Sequence, residues 1–187
     1  MKYIIKPAAT LFITAVISIA LLSVVYDYTF EPIQAQRKRM QEAAMRAVLP
    51  QATDFREIPT EKSGSIIAVF EALNNGTVIG NIVELSPKGY SGNIDLVVGI
   101  SAHNERISGM RILHQTETPG LGALAVREDF YRRYDNRPLV PLGVVRVSPG
   151  EHDISAITAA TLTTKAVTDA VNEAIEWYLS FKGGSGR

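Results

Sequence analysis

The chain of 187 residues contains no cysteine. This absence excludes iron–sulfur clusters, thiolate metal sites, disulfides and thiol nucleophiles. Its three histidines, His103, His114 and His152, are far apart and match no zinc-binding spacing, so we expect no metal site. Basic and acidic residues both number 19, and this balance gives no reason to expect nucleic-acid binding. A redox role would therefore require an organic cofactor.

Charge and glycine are also missing from residues 8–26, which read AATLFITAVISIALLSVVY. About 20 helical residues, at ~1.5 Å each, span the roughly 30 Å hydrocarbon layer of a membrane. Tyr26 and Tyr28 close the run, as aromatic residues often do at a membrane interface. A cleaved signal peptide is the alternative, but the run is long for one and no small-residue cleavage site follows. We therefore predict a transmembrane anchor over residues 1–30.

After the anchor, the spacing of apolar residues along the chain changes twice. Residues 31–62 are predicted to hold an amphipathic juxtamembrane helix, which ends before Pro50, and a linker. This helix either covers the following domain or also contacts partner subunits. Residues 63–181 are predicted to form one domain, and residues 182–187 a flexible tail or a cloning remnant.

The domain is predicted to be α+β, a mostly antiparallel sheet with flanking helices, preceded by the one N-terminal transmembrane helix. Asn74-Asn75-Gly76 supplies a hairpin turn between two strands. Alternating or β-rich patterns predict strands at residues 65–72, 77–85, 94–100, 107–114 and 144–147. Helical spacing predicts helices at residues 121–134 and 162–179.

A loop with two glycines follows the fourth predicted strand. Pro119-Gly120 suits the central positions of a type II turn, and Gly122 adds a second position without a Cβ. Such a loop allows a flat ligand to approach backbone amides, with polar side chains at a ring edge and a leucine at a ring face. An ordinary tight turn is the alternative. The candidate binding residues are Glu117, Thr118, Gly120, Leu121 and Gly122.

A second segment, residues 155–165, is rich in small and hydroxyl residues and leads directly into the last long helix. Thr158 or Ser155 is predicted to cap this helix. The first helical turn offers free N–H groups and the positive end of the helix dipole, which suit a phosphate at Thr161. The alternative is a helix start whose hydroxyl residues cap the helix and bind no ligand. Two further candidates, Thr164 and Lys165, lie on the same helix face as Thr161. Lys165 is expected to neutralise the charge of the phosphate.

The two segments together resemble a known domain. Residues 114–122 (HQTETPGLG) and 157–164 (ITAATLTT) are similar to the FMN-binding domain of the G subunit (RnfG) of the Rnf electron-transport complex. The C subunit (NqrC) of the sodium-translocating NADH:quinone reductase shares this domain. Residues 88–94 (KGYSGNI) resemble a third stretch of it, and the likeness extends over about residues 89–178. The short chain favours RnfG.

In these families the motif is an Asp, two residues, Ser or Thr, Gly, Ala and Thr, and a flavin transferase esterifies the last Thr with FMN phosphate. The resemblance implies that Thr161 is the attachment site, with Ala160 and Thr158 at the matching Ala and Ser/Thr positions. Ser155 stands where Asp is usual, which bears on recognition by the transferase. Ala159 stands where Gly is usual, a small change only if its φ angle is negative.

The resemblance implies a membrane-anchored electron-transfer subunit with covalently bound FMN in an ion-translocating redox complex. It implies other membrane subunits and the flavin transferase as partners, and no catalytic residues of its own. The soluble domain is expected on the periplasmic or extracytoplasmic side of the bacterial cytoplasmic (inner) membrane. Two alternatives are a non-redox membrane-anchored binding module and a flavin oxidoreductase with dissociable FMN.

Overall fold

The structure, a computed structural model, describes residues 2–60, 63–147 and 149–184. The chain divides into two compact units, residues 1–40 and 41–187. Helix α1, Lys2–Val48, begins in the first unit and ends in the second. The end of this helix before Pro50 is as predicted. The sequence predicts two helices here, but the structure has one, because neither Pro7 nor Pro32 ends it.

The first unit is an apolar helix whose side chains are mostly exposed. It is long and apolar enough to cross a membrane. Its hydroxyl groups bond to its own backbone: Thr10 donates to the carbonyl of Lys6 at 3.0 Å, and Ser18 donates to that of Thr14 at 2.9 Å. Polar groups satisfied within the helix are compatible with a lipid environment.

The centre of the second unit is a five-stranded antiparallel sheet, with the strands in chain order. This confirms the predicted α+β class and four of the predicted strands. The first strand in the chain, which lies at one edge of the sheet, is not predicted, because its residues DFREI are mostly charged and exposed. The strands are β1 (Asp54–Ile58), β2 (Ile66–Asn74), β3 (Thr77–Leu85), β4 (Asp95–Ser101) and β5 (Arg106–His114).

The predicted hairpin turn joins β2 to β3. Asn74 pairs with Thr77, which leaves Asn75 and Gly76 as a two-residue loop. Their φ angles are 48° and 83°. Two positive φ angles are the signature of a type I′ turn, whose twist matches that of the strands.

Shorter elements follow the sheet. The helix predicted over residues 121–134 is divided into a 3-10 turn at Gly122–Val126, helix α2 at Glu128–Tyr131 and a 3-10 turn at Arg132–Tyr134. Strand β6 (Gly143–Val145) pairs in parallel with β7 (Asp153–Ser155), which was not predicted because three residues carry no clear alternation. Helix α3, Thr161–Gly184, confirms the predicted last helix but continues through residues 182–184, which were predicted to belong to a flexible tail.

Both faces of the sheet are covered within the second unit. One face packs against α3, whose buried positions include Val167, Val171 and Ala174. The other face packs against the last turns of α1, where Val48 is fully buried. A Cβ at Gly99 of β4 would lie 3.0 Å from the Val48 side chain, so the glycine permits this close approach.

Candidate functional site

A cleft of about 450 Å³ lies where the glycine loop meets the start of α3. This volume falls in the range of small-molecule and cofactor sites, roughly 300–1,000 Å³. The cleft brings together two segments that lie about 40 residues apart in the sequence. Its lining residues are Tyr90, Glu117, Thr118, Leu121, Gly122, Arg146, Ala159, Ala160, Thr161, Leu162 and Thr163.

The glycine loop forms the predicted type II turn. The N–H of Leu121 donates to the carbonyl of Thr118 at 3.1 Å, which closes the turn around Pro119-Gly120. Gly120 has φ 77°, which a glycine adopts without strain. Gly120 is not among the residues that line the cleft, and its contribution is therefore the turn that presents its neighbours.

Glu117 fastens three segments together beside the cleft. It is 6% exposed, and its two carboxylate oxygens accept separate hydrogen bonds. One bond comes from the backbone N–H of Ser91 at 2.9 Å, and the other from the hydroxyl of Thr163 at 2.6 Å. Hydrogen bonds to a charged group are stronger than neutral ones. Glu117 therefore holds the loop before β4, the glycine loop and helix α3 in one arrangement.

Two glycines make room for this carboxylate. A Cβ at Gly89 would lie 2.6 Å from one oxygen of Glu117, and a Cβ at Gly122 would lie 2.6 Å from the Thr163 hydroxyl. Real Cβ atoms do not approach other atoms so closely. The sequence predicts Gly122 as a point of ligand approach, and the structure adds a second reason, the packing of Glu117.

Thr164 closes the loop that leads into α3. Its hydroxyl accepts a hydrogen bond from the N–H of Ile157 at 3.0 Å and donates one to the carbonyl of Ala160 at 3.1 Å. The side chain is fully buried and lines no described cavity. Within the described residues the hydroxyls of Thr158 and Ser155 make no hydrogen bond, so the capping prediction is wrong. Thr164 secures the loop from inside the helix.

Thr161 is the first residue of α3 and is half-buried. N–H groups in a first helical turn have no intrahelical acceptor and favour an anion. Thr161 also lines a second cavity of about 410 Å³, which contains Thr158 and shares Arg146, Ala159 and Thr161 with the first.

Ala159, two residues before Thr161, has φ 60°. This is the left-handed region, where an L-residue is strained by roughly 1–2 kcal/mol. The condition for a small change, a negative φ, is therefore not met. The alanine occupies a backbone conformation that favours the glycine usual in the related motif.

The cation that lines the cleft itself is Arg146. Lys165 lines an adjoining depression with Lys88 and Asp169, which shares Tyr90 and Leu162 with the cleft. Arg146 follows strand β6 and reaches the cleft through the pairing of β6 with β7, which leads into the start of α3. No local pattern indicates this residue, because it lies 15 positions before Thr161.

Tyr90, Leu162 and Thr163 also line the cleft and are not among the predicted binding residues. Tyr90 lies in the loop that resembles the third stretch of the related domain, so its position was a usable signal. Leu162 and Thr163 adjoin Thr161, and the helix-face argument does not predict them because it favours spacings of three and four residues.

The fold and the cleft define a cofactor-binding domain, and comparison with known proteins identifies its kind. The family model of the FMN-binding domain matches residues 89–176, which contain both segments of the cleft. The model of the RnfG N-terminal region matches residues 1–48, the length of α1.

Two relatives match almost end to end. The G subunit of the proton-translocating ferredoxin:NAD(+) oxidoreductase complex of Clostridium ljungdahlii is 33% identical, over 92% of this chain and 90% of that protein. The G subunit of the Na(+)-translocating ferredoxin:NAD(+) oxidoreductase complex of Acetobacterium woodii is 32% identical, over 95% and 92%. The chain belongs to this family, the RnfG-type subunits of ion-translocating oxidoreductase complexes, and contains its FMN-binding domain.

A solved structure has a similar fold. The crystal structure of the C subunit of the Na(+)-translocating NADH-quinone reductase from Parabacteroides distasonis superposes with a TM-score of 0.61 at 18% identity. The match covers 80% of this chain and 94% of that chain. The preference for RnfG over NqrC is confirmed by the two relatives above and by the N-terminal match.

Proposed function

We propose that this chain is the electron-transfer G subunit of an ion-translocating ferredoxin:NAD⁺-type oxidoreductase complex and carries FMN covalently on Thr161. FMN when bound supplies one-electron and two-electron redox chemistry. The proposal is supported by the names of the RnfG-type relatives, by the FMN-binding domain and by a cleft of suitable volume.

The observation that carries the attachment site is the difference among the four threonines of this segment. The hydroxyl of Thr163 is committed to Glu117, and Thr164 is buried within the loop. Thr158 lines the second cavity only. Thr161 lines both cavities, and its hydroxyl has no hydrogen-bond partner among the described residues. It is therefore the hydroxyl best placed to bond a ligand in the cleft.

Exposed apolar side chains at the cleft supply a surface for a flat ring. Leu162 is 62% exposed, Tyr90 is 71% exposed and Leu121 is 39% exposed. Aromatic and aliphatic side chains bind ring faces through apolar contact. Thr118 and Ala160 complete the lining, while Glu117 keeps the three segments in place.

Attachment needs an activated flavin. The Thr161 oxygen forms a bond to the flavin phosphorus of a flavin dinucleotide, the diphosphate bond breaks, and the nucleoside monophosphate leaves while the hydroxyl proton is released. A flavin transferase is the proposed catalyst. We further propose that α1 anchors the chain as a single pass in the cytoplasmic membrane, next to the other subunits. The domain would then lie on the extracytoplasmic side, where the transferase acts in the related families.

The test is the intact mass of the full-length chain after co-expression with a flavin transferase. We expect a mass increase of one FMN less one water, on the peptide that contains Thr161. Thr161→Ala abolishes the increase, Thr161→Ser retains it because a hydroxyl remains, and the exposed, remote Thr77→Ala serves as the control. Flavin released on denaturation would support dissociable FMN instead. A chain that never acquires flavin would support the binding-module alternative.

A further inference from the structure

The two cavities beside the start of α3 meet at one place. The residues common to both are Arg146, Ala159 and Thr161. A group bonded to the hydroxyl oxygen of Thr161 lies near this junction. Of the three shared residues, only Arg146 carries a charge.

The guanidinium of Arg146 is available for a ligand. Within the described residues it makes no hydrogen bond and no ion pair. Other arginines of the domain are occupied: Arg133 donates to the carbonyl of Ser155, and Arg137 donates to that of Glu151. A planar guanidinium with free N–H groups matches two oxygens of one phosphate.

The backbone before Arg146 is fixed on two sides. The carbonyl of Val145 accepts a hydrogen bond from the N–H of Ala156, in the loop before α3, at 2.8 Å. The side-chain amide of Asn172 on α3 bonds to both the N–H and the carbonyl of Leu142, at 2.8 and 3.0 Å. Strand β6 is thus tied both to α3 and to the loop that carries Thr161. These bonds fix the backbone that leads to Arg146, whose side chain is exposed.

We propose that Arg146 binds the phosphate of the flavin nucleotide at Thr161, a role that rests on the function proposed above. The free N–H groups of the first turn of α3 complete the phosphate site. Lys165, the cation predicted from helix spacing, lines an adjoining depression that shares Tyr90 and Leu162 with the cleft and also contains the carboxylate of Asp169.

The test measures flavin attachment to the full-length, detergent-solubilised chain by a purified flavin transferase with a flavin dinucleotide. We expect Arg146→Gln to slow attachment by about 10-fold or more, the scale of a lost charged hydrogen bond. Arg146→Lys restores part of the rate because it restores the charge. The matched surface control Arg132→Gln keeps the parent rate.

A second measurement separates phosphate binding from a general effect on the fold. In the Thr161→Ala chain, adding Arg146→Gln is expected to weaken FMN binding by about 10- to 100-fold. Riboflavin, which lacks the phosphate, binds equally to both chains.

Three outcomes are decisive. An equal loss of binding for FMN and riboflavin overturns the assignment of Arg146 but not the proposed function. A parent rate of attachment for Arg146→Gln does the same. A parent chain that accepts no flavin at all contradicts the proposed function, and this assignment with it.

Discussion

The left-handed backbone at Ala159 gives the sharpest test of how the start of α3 is built. An L-residue in this region costs roughly 1–2 kcal/mol, and glycine avoids the cost. Glycine also adds about 0.4–1 kcal/mol of conformational entropy to the unfolded chain, which opposes the gain. The difference predicts that Ala159→Gly stabilises the protein by about 0.5–1 kcal/mol.

The free energy of unfolding is measurable by urea titration of the full-length chain in a mild detergent. Trp177, the single tryptophan, is half-buried on α3 and reports the transition by its fluorescence. Ala156→Gly is the matched control, because Ala156 lies in the same loop without a positive φ. It is expected to lose about 0.5–1 kcal/mol. Equal destabilisation by the two glycines would refute the strain at Ala159.

Two further predictions concern carboxylates, the buried Glu117 and the half-buried Glu84. Glu117→Gln is expected to lower the free energy of unfolding by about 1–3 kcal/mol, because one of the two donors to this buried carboxylate loses its acceptor. Combining it with Thr163→Val should cost less than the sum of the two changes, and a strictly additive result in the urea titration would contradict the shared hydrogen bond. Burial raises the pKa of Glu84, although the hydrogen bond from Gln41 and its neighbouring charges also act on it. The free energy of unfolding therefore falls as the pH rises from about 4.3, the ordinary glutamate pKa, through the raised pKa of Glu84. The reason is that the folded protein must then hold Glu84 in its charged form. Glu84→Gln should stabilise the chain at pH 7 and have no effect at pH 4. A benefit of the same size at both values would exclude titration of Glu84 as the cause.

Much of the sheet is encoded locally. Strands β2 to β5 have β-forming patterns, and the Asn75-Gly76 turn fixes the register of β2 against β3. Strand β1 lacks such a pattern, and its place depends on pairing with β2, where Arg56 and Glu71 form an ion pair. Because that pair joins residues 15 positions apart, no local window of sequence reveals it.

The site divides in the same way. The turn at Gly120 follows from the residues that form it, and so does the position of Thr161 at a helix start. The choice of cation does not follow from local sequence. Helix spacing favours Lys165, which is four residues away, whereas the fold brings Arg146 to the cleft through a pair of three-residue strands. Spacing along one helix records which residues share a face, but not which cavity that face meets.

The strain at Ala159 remains local because its neighbours are held independently. On one side, Ile157 is bonded through its N–H to the buried hydroxyl of Thr164. On the other side, the carbonyl of Ala160 accepts the first helical hydrogen bond, from the N–H of Thr164 at 3.1 Å. These bonds adjoin a helix of 24 residues, so relaxing the backbone angle at Ala159 would require breaking the hydrogen bonds that hold its neighbours. The cost of the alanine is therefore expected in global stability and not in the position of Thr161.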